Sequence, residues 1–274
     1  MARPGKRIIL LLLILASSIG VYSFIEPYWL EEKTYVISDS DIPASFDGTK
    51  VVFLTDIHHG PLFSRSRIRN LVDRVNRLRP DIVLLGGDYV EGHPKYIEPC
   101  FEELSRLRAA YGVYGVLGNH DHWQGARRTA EEMARAGIKS IDNGAFWVEK
   151  DGERIKVGGV GDHCEDVQHL EPTVADVSVD DFVMLVTHSP DYVEEMEMGK
   201  VDLAFAGHTH GGQVTFFGLF ALKLVTDYGE KYRTGMVSTR GMKTIVSNGI
   251  GVTNLPIRFF ARPQIVVAVL DTEA

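Results

Sequence analysis

The chain opens on an unbroken apolar run. Ile8 to Ile25 carries neither charge nor proline. At the helical rise its eighteen residues span about 27 Å, enough for a bilayer core. Past that run, short apolar stretches alternate with amphipathic ones. Val51–Leu54, Ile82–Leu85, Val113–Leu117, Phe182–Thr187 and Leu203–Ala206 read as strands buried on both faces. Ile68, Leu71, Val72, Val75 and Leu78 recur at helical spacing with Arg and Asn between them, and Pro80 lies just beyond. Further helices are expected near 96–110 and 127–136, and in the Glu-rich segment between the last two strands. Phe146–Lys150 and Arg154–Val160 flank Asp151-Gly152, a hairpin signal. Residues 26–46 read as a linker with an edge strand at Thr34–Ile37. The last sixty residues, rich in Gly, Thr and Val, read as further strands and loops. This density of strands predicts an α/β domain over residues 47–274, with two packed mixed sheets flanked by helices. A single doubly wound sheet is the alternative.

Charge orients the opening run. Arg3, Lys6 and Arg7 precede it, and Glu26, Glu31 and Glu32 follow. The positive-inside rule places residues 1–7 in the cytosol and the body outside, as a signal-anchor over 8–25. Tyr22, Tyr28 and Trp29 then fall at interfacial depth. A cleaved signal peptide competes, with Ser18-Ile19-Gly20 as a small-x-small site. A buried core helix is the third reading, opposed by the run's terminal position. The segment has no cysteine for a lipoprotein signal.

The formal net charge is −8, and the first seven residues carry three positive charges, so the rest carries −11. An acidic body argues against binding nucleic acid through phosphate neutralisation. At 45% apolar and 24% charged residues, composition excludes a disordered, collagenous or multi-span chain. Two cysteines, Cys100 and Cys164, make neither a disulfide framework nor a zinc ribbon, and read as separate thiols.

Each buried run ends in a polar cluster. In order they are Thr55-Asp56-Ile57-His58, Gly86-Gly87-Asp88, Gly118-Asn119-His120-Asp121, His188, and Gly207-His208-Thr209-His210-Gly211-Gly212. Ligands of open α/β sheets bind beyond the carboxyl ends of strands, so all five clusters can converge on one site. Carboxylate and imidazole without thiolate suit Mn, Fe or Zn. On extended backbone, Asp56-x-His58 and His208-x-His210 would each present both side chains on one face. So many candidate ligands fit two divalent ions sharing one carboxylate, about 3.5–4 Å apart.

This ordered series resembles the calcineurin-like metallophosphoesterases, over about residues 50–270. Gly207–Gln213, Thr239-Arg240-Gly241 and Leu255-Pro256-Ile257-Arg258 resemble a bacterial subgroup with a single amino-terminal membrane anchor. The resemblance implies a sandwich of two sheets between helices and two metal ions. It implies that Asp56, His58 and His210 hold the first, and Asn119, His188 and His208 the second. It implies that Asp88 bridges them, while His120 faces substrate as general acid or electrostatic clamp. A hydroxide shared by the ions would attack phosphorus in line, without a covalent phosphoenzyme.

Other residues carry open alternatives. Asp121 either orients His120 or closes its turn. His59, where such sequences often carry an aliphatic residue, is expected on the surface. Asp162 and His163 lie at a pocket rim or, by preference, on a surface turn. Arg240 and Arg258 are candidates to hold a distal anionic group of substrate. His93, His122 and His169 are expected in solvent, and Glu194-Glu195-x-Glu197 on an exposed helix face. Phe216-Phe217-Gly218-Leu219-Phe220 is expected in the core, with an apolar lip for lipid chains as the alternative.

The functional expectation is a membrane-anchored phosphodiesterase acting on a lipid-linked or envelope substrate. A pyrophosphatase of UDP-diacylglucosamine type is the alternative, although that substrate is generally cytosolic. A metal-binding tether without turnover and a nuclease are the other classes weighed.

Overall fold

The structure, a computed structural model, describes residues 4–196 and 200–272. Arg3 of the basic cluster and Glu197 of the acidic run lie outside them. A 22-residue helix, α1 (Pro4–Ile25), contains the apolar run and leaves most of it exposed. It is long and apolar enough to cross a membrane.

The strands that follow are β1 (Glu31–Ser38), β2 (Lys50–Leu54), β3 (Ile82–Leu85), β4 (Val113–Gly115), β5 (Lys139–Ser140) and β6 (Gly144–Lys150). After them come β7 (Glu153–Gly159), β8 (Val183–Val186), β9 (Leu203–Ala206), β10 (Gly235–Thr239), β11 (Met242–Val246) and β12 (Gln264–Asp271). The helices are α2 (Arg65–Leu78), α3 (Ile97–Leu104), α4 (Asn119–Arg135), α5 (Glu171–Val174) and α6 (Tyr192–Glu195).

As expected, the strands form two mixed sheets. One runs β1-β12-β2-β3-β4-β5 and the other β10-β11-β9-β8-β7-β6, six strands each. Strands β2 to β5 are parallel, as are β7, β8, β9 and β11. The edge strand expected at Thr34–Ile37 is β1, longer than expected at both ends, and it pairs in parallel along its whole length with β12. The region is therefore an integral edge of the sheet.

Side-chain alternation explains the layers. Val51 and Phe53 of β2 enter the core between the sheets, with Leu84, Phe182, Met184 and Phe205. Val52 and Leu54 point the other way, onto Leu71, Val72 and Val75 of α2 and Phe101 of α3. Val183 and Leu185 of β8 pack outward on Tyr192, Val193 and Tyr232. Helices α2 and α3 are also tied by a charged knot. Buried Glu103 accepts from Arg65 and Arg69 of α2 and from Arg106.

Helix α4 differs from expectation. It starts at Asn119, eight residues before the expected helix, and breaks at Gly125, whose φ of 129° lies outside the helical region. The cluster expected after the third strand is thus the first turn of a helix. This turn aims Asn119 and His120 at the strand ends.

Candidate active site

All five polar clusters lie at the carboxyl edge of the parallel strands, and their side chains meet there. Asp56 Oδ1 is 3.3 Å from His210 Nε2 and 3.8 Å from His58 Nε2. His58 Nε2 and His210 Nε2 face each other at 3.0 Å. Beside them, His188 Nε2 lies 3.2 Å from His208 Nδ1 and 3.1 Å from Asn119 Oδ1. Asp88 stands between the groups. Its Oδ2 is 3.4 Å from His58 Nε2 and 3.3 Å from His188 Nε2. Its Oδ1 accepts the backbone N–H of His120 at 2.8 Å.

Backbone conformation, rather than strand alternation, produces the convergence. Asp56, His58, Asp88, His208 and His210 all have φ between 49° and 67°. That left-handed region is uncommon for residues other than glycine and is concentrated at functional sites. Asp56 and His58 still reach one common group, whereas His208 and His210 part. His208 turns to His188, and His210 turns to His58. Two close approaches fix the loops. A Cβ on Gly118 would sit 2.4 Å from Asp88 Oδ1, and one on Gly207 would sit 2.4 Å from Asp56 Oδ2.

The donor set fits divalent cations. Imidazole nitrogens facing each other at 3.0–3.2 Å, with buried carboxylates between them, match ligands aimed at common points. Three sets each bring their ligand atoms within 4.8 Å of one another: Asp56-His58-His210, His58-Asp88-His120 and Asp88-His188-His208. Second contacts orient the rings. His188 Nδ1 donates to the Gly86 carbonyl at 2.7 Å. His58 Nδ1 lies 2.9 Å from Glu91 Oε2.

Charge is concentrated accordingly. Burial opposes a charge on His58, yet hydrogen bonds to Asp56 and Glu91 and the charge of Asp88 raise it to about 10. Burial would raise Asp88, but His188 and His58 hold its carboxyl well below the usual range. Burial lowers His210 to about 3, against the pull of Asp56.

Glu91 is a site residue that the sequence pattern does not mark. It lies three residues after Asp88, and its Oε2 also takes His120 Nδ1, at 2.7 Å. Burial would raise its carboxyl, and His120 and His58 bring it down to about 2. A carboxylate in Asp88-Tyr-Val-Glu91 was the available signal. His120 packs on Trp123, with ring centroids 4.5 Å apart. Both line a cavity of about 550 Å³ together with Asp88, Asn119, His208 and His210. Its other side is mainly apolar, with Val214, Leu222, Val225 and Leu255, and also carries Gln213, Lys223, Thr253 and Asn254.

Several residues sit elsewhere than expected. Arg258 is fully buried and does not face the cavity. It donates to the carbonyls of Asn248, Gly251, Ala261 and His210, and so braces the His210 loop. Arg240 caps the carbonyls of Glu194 and Met196, away from the cavity. His59 is buried, with Nδ1 donating to the Phe63 carbonyl at 2.8 Å. Asp162 is also buried. It closes its turn by accepting from the N–H groups of Cys164 and Glu165. The nearby His163 is partly exposed and lies 3.7 Å from Glu195.

Asp121 closes its turn, accepting from the N–H groups of Gly118, Asp88 and Tyr89. Burial and the Asp88 charge push its carboxyl up to about 8. His93 and His169 are exposed and His122 is half-buried. Glu194 is paired with Lys231 and Tyr232, whereas Glu195 is exposed. The Phe216–Phe220 segment is not core. Phe216 and Phe217 are 50% exposed and Leu219 72%.

The calcineurin-like phosphoesterase family model matches residues 49–212, which span every cluster above. The chain belongs to the calcineurin-like phosphoesterase family. It is 29% identical over 259 residues to the metallophosphoesterase YkuE of Bacillus subtilis, covering 92% of this chain and 90% of the relative. It is 27% identical to a Danio rerio transmembrane protein with a metallophosphoesterase domain, covering 95% of this chain and 62% of that protein. Among solved structures, the 5'-nucleotidase precursor of Thermus thermophilus aligns over 74% of this chain and 49% of its own. Its TM-score is 0.48 and its identity 18%. The protein is a phosphoester hydrolase of a family that uses divalent metals. Its apolar amino-terminal helix fits an anchor.

Proposed function

We propose that the protein is a membrane-anchored phosphodiesterase working with two divalent ions, each Mn, Fe or Zn. Asp56, His58 and His210 hold one ion, and Asn119, His188 and His208 hold the other, with Asp88 shared. The observation that carries this reading is the position of Asp88 Oδ2, at 3.4 and 3.3 Å from His58 and His188, one nitrogen from each group. Bound divalent ions supply Lewis acidity and an acidified water for attack on phosphorus.

The chain's own residues do the rest. Glu91 fixes His120 by accepting at Nδ1, and among the described residues Nε2 has no hydrogen-bond partner, on a ring that lines the cavity. Protonated there, His120 delivers a proton to the departing oxygen. Asp88 positions that helix turn through the His120 N–H. The apolar wall excludes water on one side and accommodates a hydrocarbon portion of substrate. This wall and the anchor helix favour a lipid-linked diester, with the catalytic domain on the extracytoplasmic side, opposite the Lys6 and Arg7 flank.

The test compares bis-p-nitrophenyl phosphate, p-nitrophenyl phosphate and a phospholipid diester, using the full chain in detergent micelles with Mn²⁺. Faster cleavage of diesters, lost with chelator, is expected. Preference for the monoester would overturn the phosphodiesterase reading.

A further inference from the structure

Residues 214–222 form a small hairpin beside the cavity. Leu222 N–H donates to Val214 O, and Phe216 N–H donates to Phe220 O. Its base supplies Val214 and Leu222 to the cavity wall. Its tip carries Phe216, Phe217, Leu219 and Phe220, all 47–72% exposed. A contiguous exposed patch of this kind needs a partner in a soluble setting.

The tip is joined to the end of α1 by a continuous run of rings. Tyr22 of α1 packs on Phe259 and Phe260, with centroids 5.6 and 5.5 Å away. Phe217 packs on the same two, at 5.3 and 5.6 Å. Phe216 then joins Phe217 at 5.2 Å and Phe220 at 5.3 Å. The joint is braced by polar contacts. Fully buried Glu26 accepts the N–H groups of Phe260 and Ala261 at 2.7 and 2.6 Å. The Arg258 N–H donates to Ser23 O at 3.0 Å. Arg262 and Arg67 lie over Trp29 and Tyr28, the aromatics that follow α1. The catalytic domain is therefore seated on the end of α1, with its apolar tip and cationic side chains at that same end. Apolar aromatics beside arginines are the composition of a surface that meets lipid headgroups.

We propose that the Phe216–Phe220 tip, with Phe260, inserts into the leaflet from which α1 emerges and holds the cavity mouth at the lipid surface. A phosphoester carried on a lipid then reaches the site without leaving the bilayer. This inference rests on the membrane-anchored reading above and names its substrate route.

The test places an environment-sensitive fluorophore on Leu219→Cys, in a Cys164→Ser background of the full chain. Cys100 is buried and out of reach of the label. A second labelled site, Phe220→Cys, which is in the tip and outside the cavity lining, guards against a misfolded first variant. Val179→Cys is the control. It is 79% exposed in the loop entering β8, at the opposite edge of the sheet. The proteins are reconstituted in phosphatidylglycerol–phosphatidylethanolamine vesicles with or without acyl-chain spin labels. Spin-labelled lipid is expected to quench positions 219 and 220 severalfold more than 179, with iodide acting in the reverse order. Equal iodide quenching at 219 and 179 would overturn the inference. So would protection from both quenchers with energy transfer between labels, which marks a second protein copy on the tip. Hydrolysis of bis-p-nitrophenyl phosphate by the unlabelled parent chain separates the two failures. A water-exposed tip with intact hydrolysis sinks only the insertion, and an inserted tip without hydrolysis sinks only the phosphodiesterase reading.

Discussion

Glu91 holds two imidazoles at once, His58 at 2.9 Å and His120 at 2.7 Å. Removing its charge while keeping its shape frees both rings. Glu91→Gln is expected to lower metal-dependent diester hydrolysis by about 10–100-fold, the range for lost partners of ligating histidines. Steady-state kinetics with bis-p-nitrophenyl phosphate read this, and an unchanged rate would contradict it. Gly118 acts through space rather than charge. In Gly118→Ala the new Cβ meets Asp88 at 2.4 Å, against both a carboxylate oxygen and a constrained backbone. Metal analysis is expected to show fewer than two ions retained per chain, with a lower melting temperature.

At this scale the sequence was partly legible. Asp56, His58, Asp88, His188, His208 and His210 were visible because each follows a fully apolar run. Glu91 was hidden because a carboxylate in a polar stretch has no hydrophobic pattern to mark it. Arg258 misled because an arginine is seldom fully buried. The left-handed backbone at five of these residues was also unreadable, since no side-chain pattern encodes φ. Each such residue costs on the order of 1–3 kcal/mol, stabilised only by its surroundings.

Among the elements, the buried strands and the start of α3 were legible, and the start of α4 was not. Strands β2, β3, β8 and β9 are buried on both faces, so their residues form unbroken apolar runs. Helix α4 begins in polar residues and is interrupted at Gly125, so its first turn read as a loop. The knot at Glu103 fixes α3 to α2. Hydrogen bonds from Arg69, Arg65 and Arg106 hold its carboxyl down to about 2, against the effect of burial. A depressed carboxyl stabilises the fold above its unfolded range and loses that effect as pH falls. Glu103→Gln is therefore expected to cost about 1–2 kcal/mol at pH 7, given the exposed arginine partners. The difference from the parent should shrink between about pH 5 and pH 2. Urea titrations across that range test it, and a pH-independent difference would exclude the ionic explanation.

For the whole molecule, the two-sheet sandwich followed from the number of short buried strands. The seating of the domain on α1 did not, because it depends on Glu26 meeting backbone groups 234 and 235 residues away. The charges flanking α1 favour the extracytoplasmic side proposed for the domain. Exposed Cys164 is expected to react with a membrane-impermeant maleimide in intact spheroplasts expressing the full chain, while buried Cys100 stays unmodified. Reaction only after lysis would place the domain in the cytosol.

In the proposed site, Asp88 joins two metal-binding groups into one phosphoester-hydrolysing centre. The most direct test of that role is the rate of bis-p-nitrophenyl phosphate hydrolysis by the purified full chain across a Mn²⁺ titration, for the parent and for Asp88→Asn. Metal-dependent turnover is expected in the parent, abolished by chelator, with a loss of at least about 100-fold in the variant at saturating metal, beyond the range for a lost outer partner of a ligand. Equal turnover by the two proteins, or turnover unaffected by chelator, would contradict it.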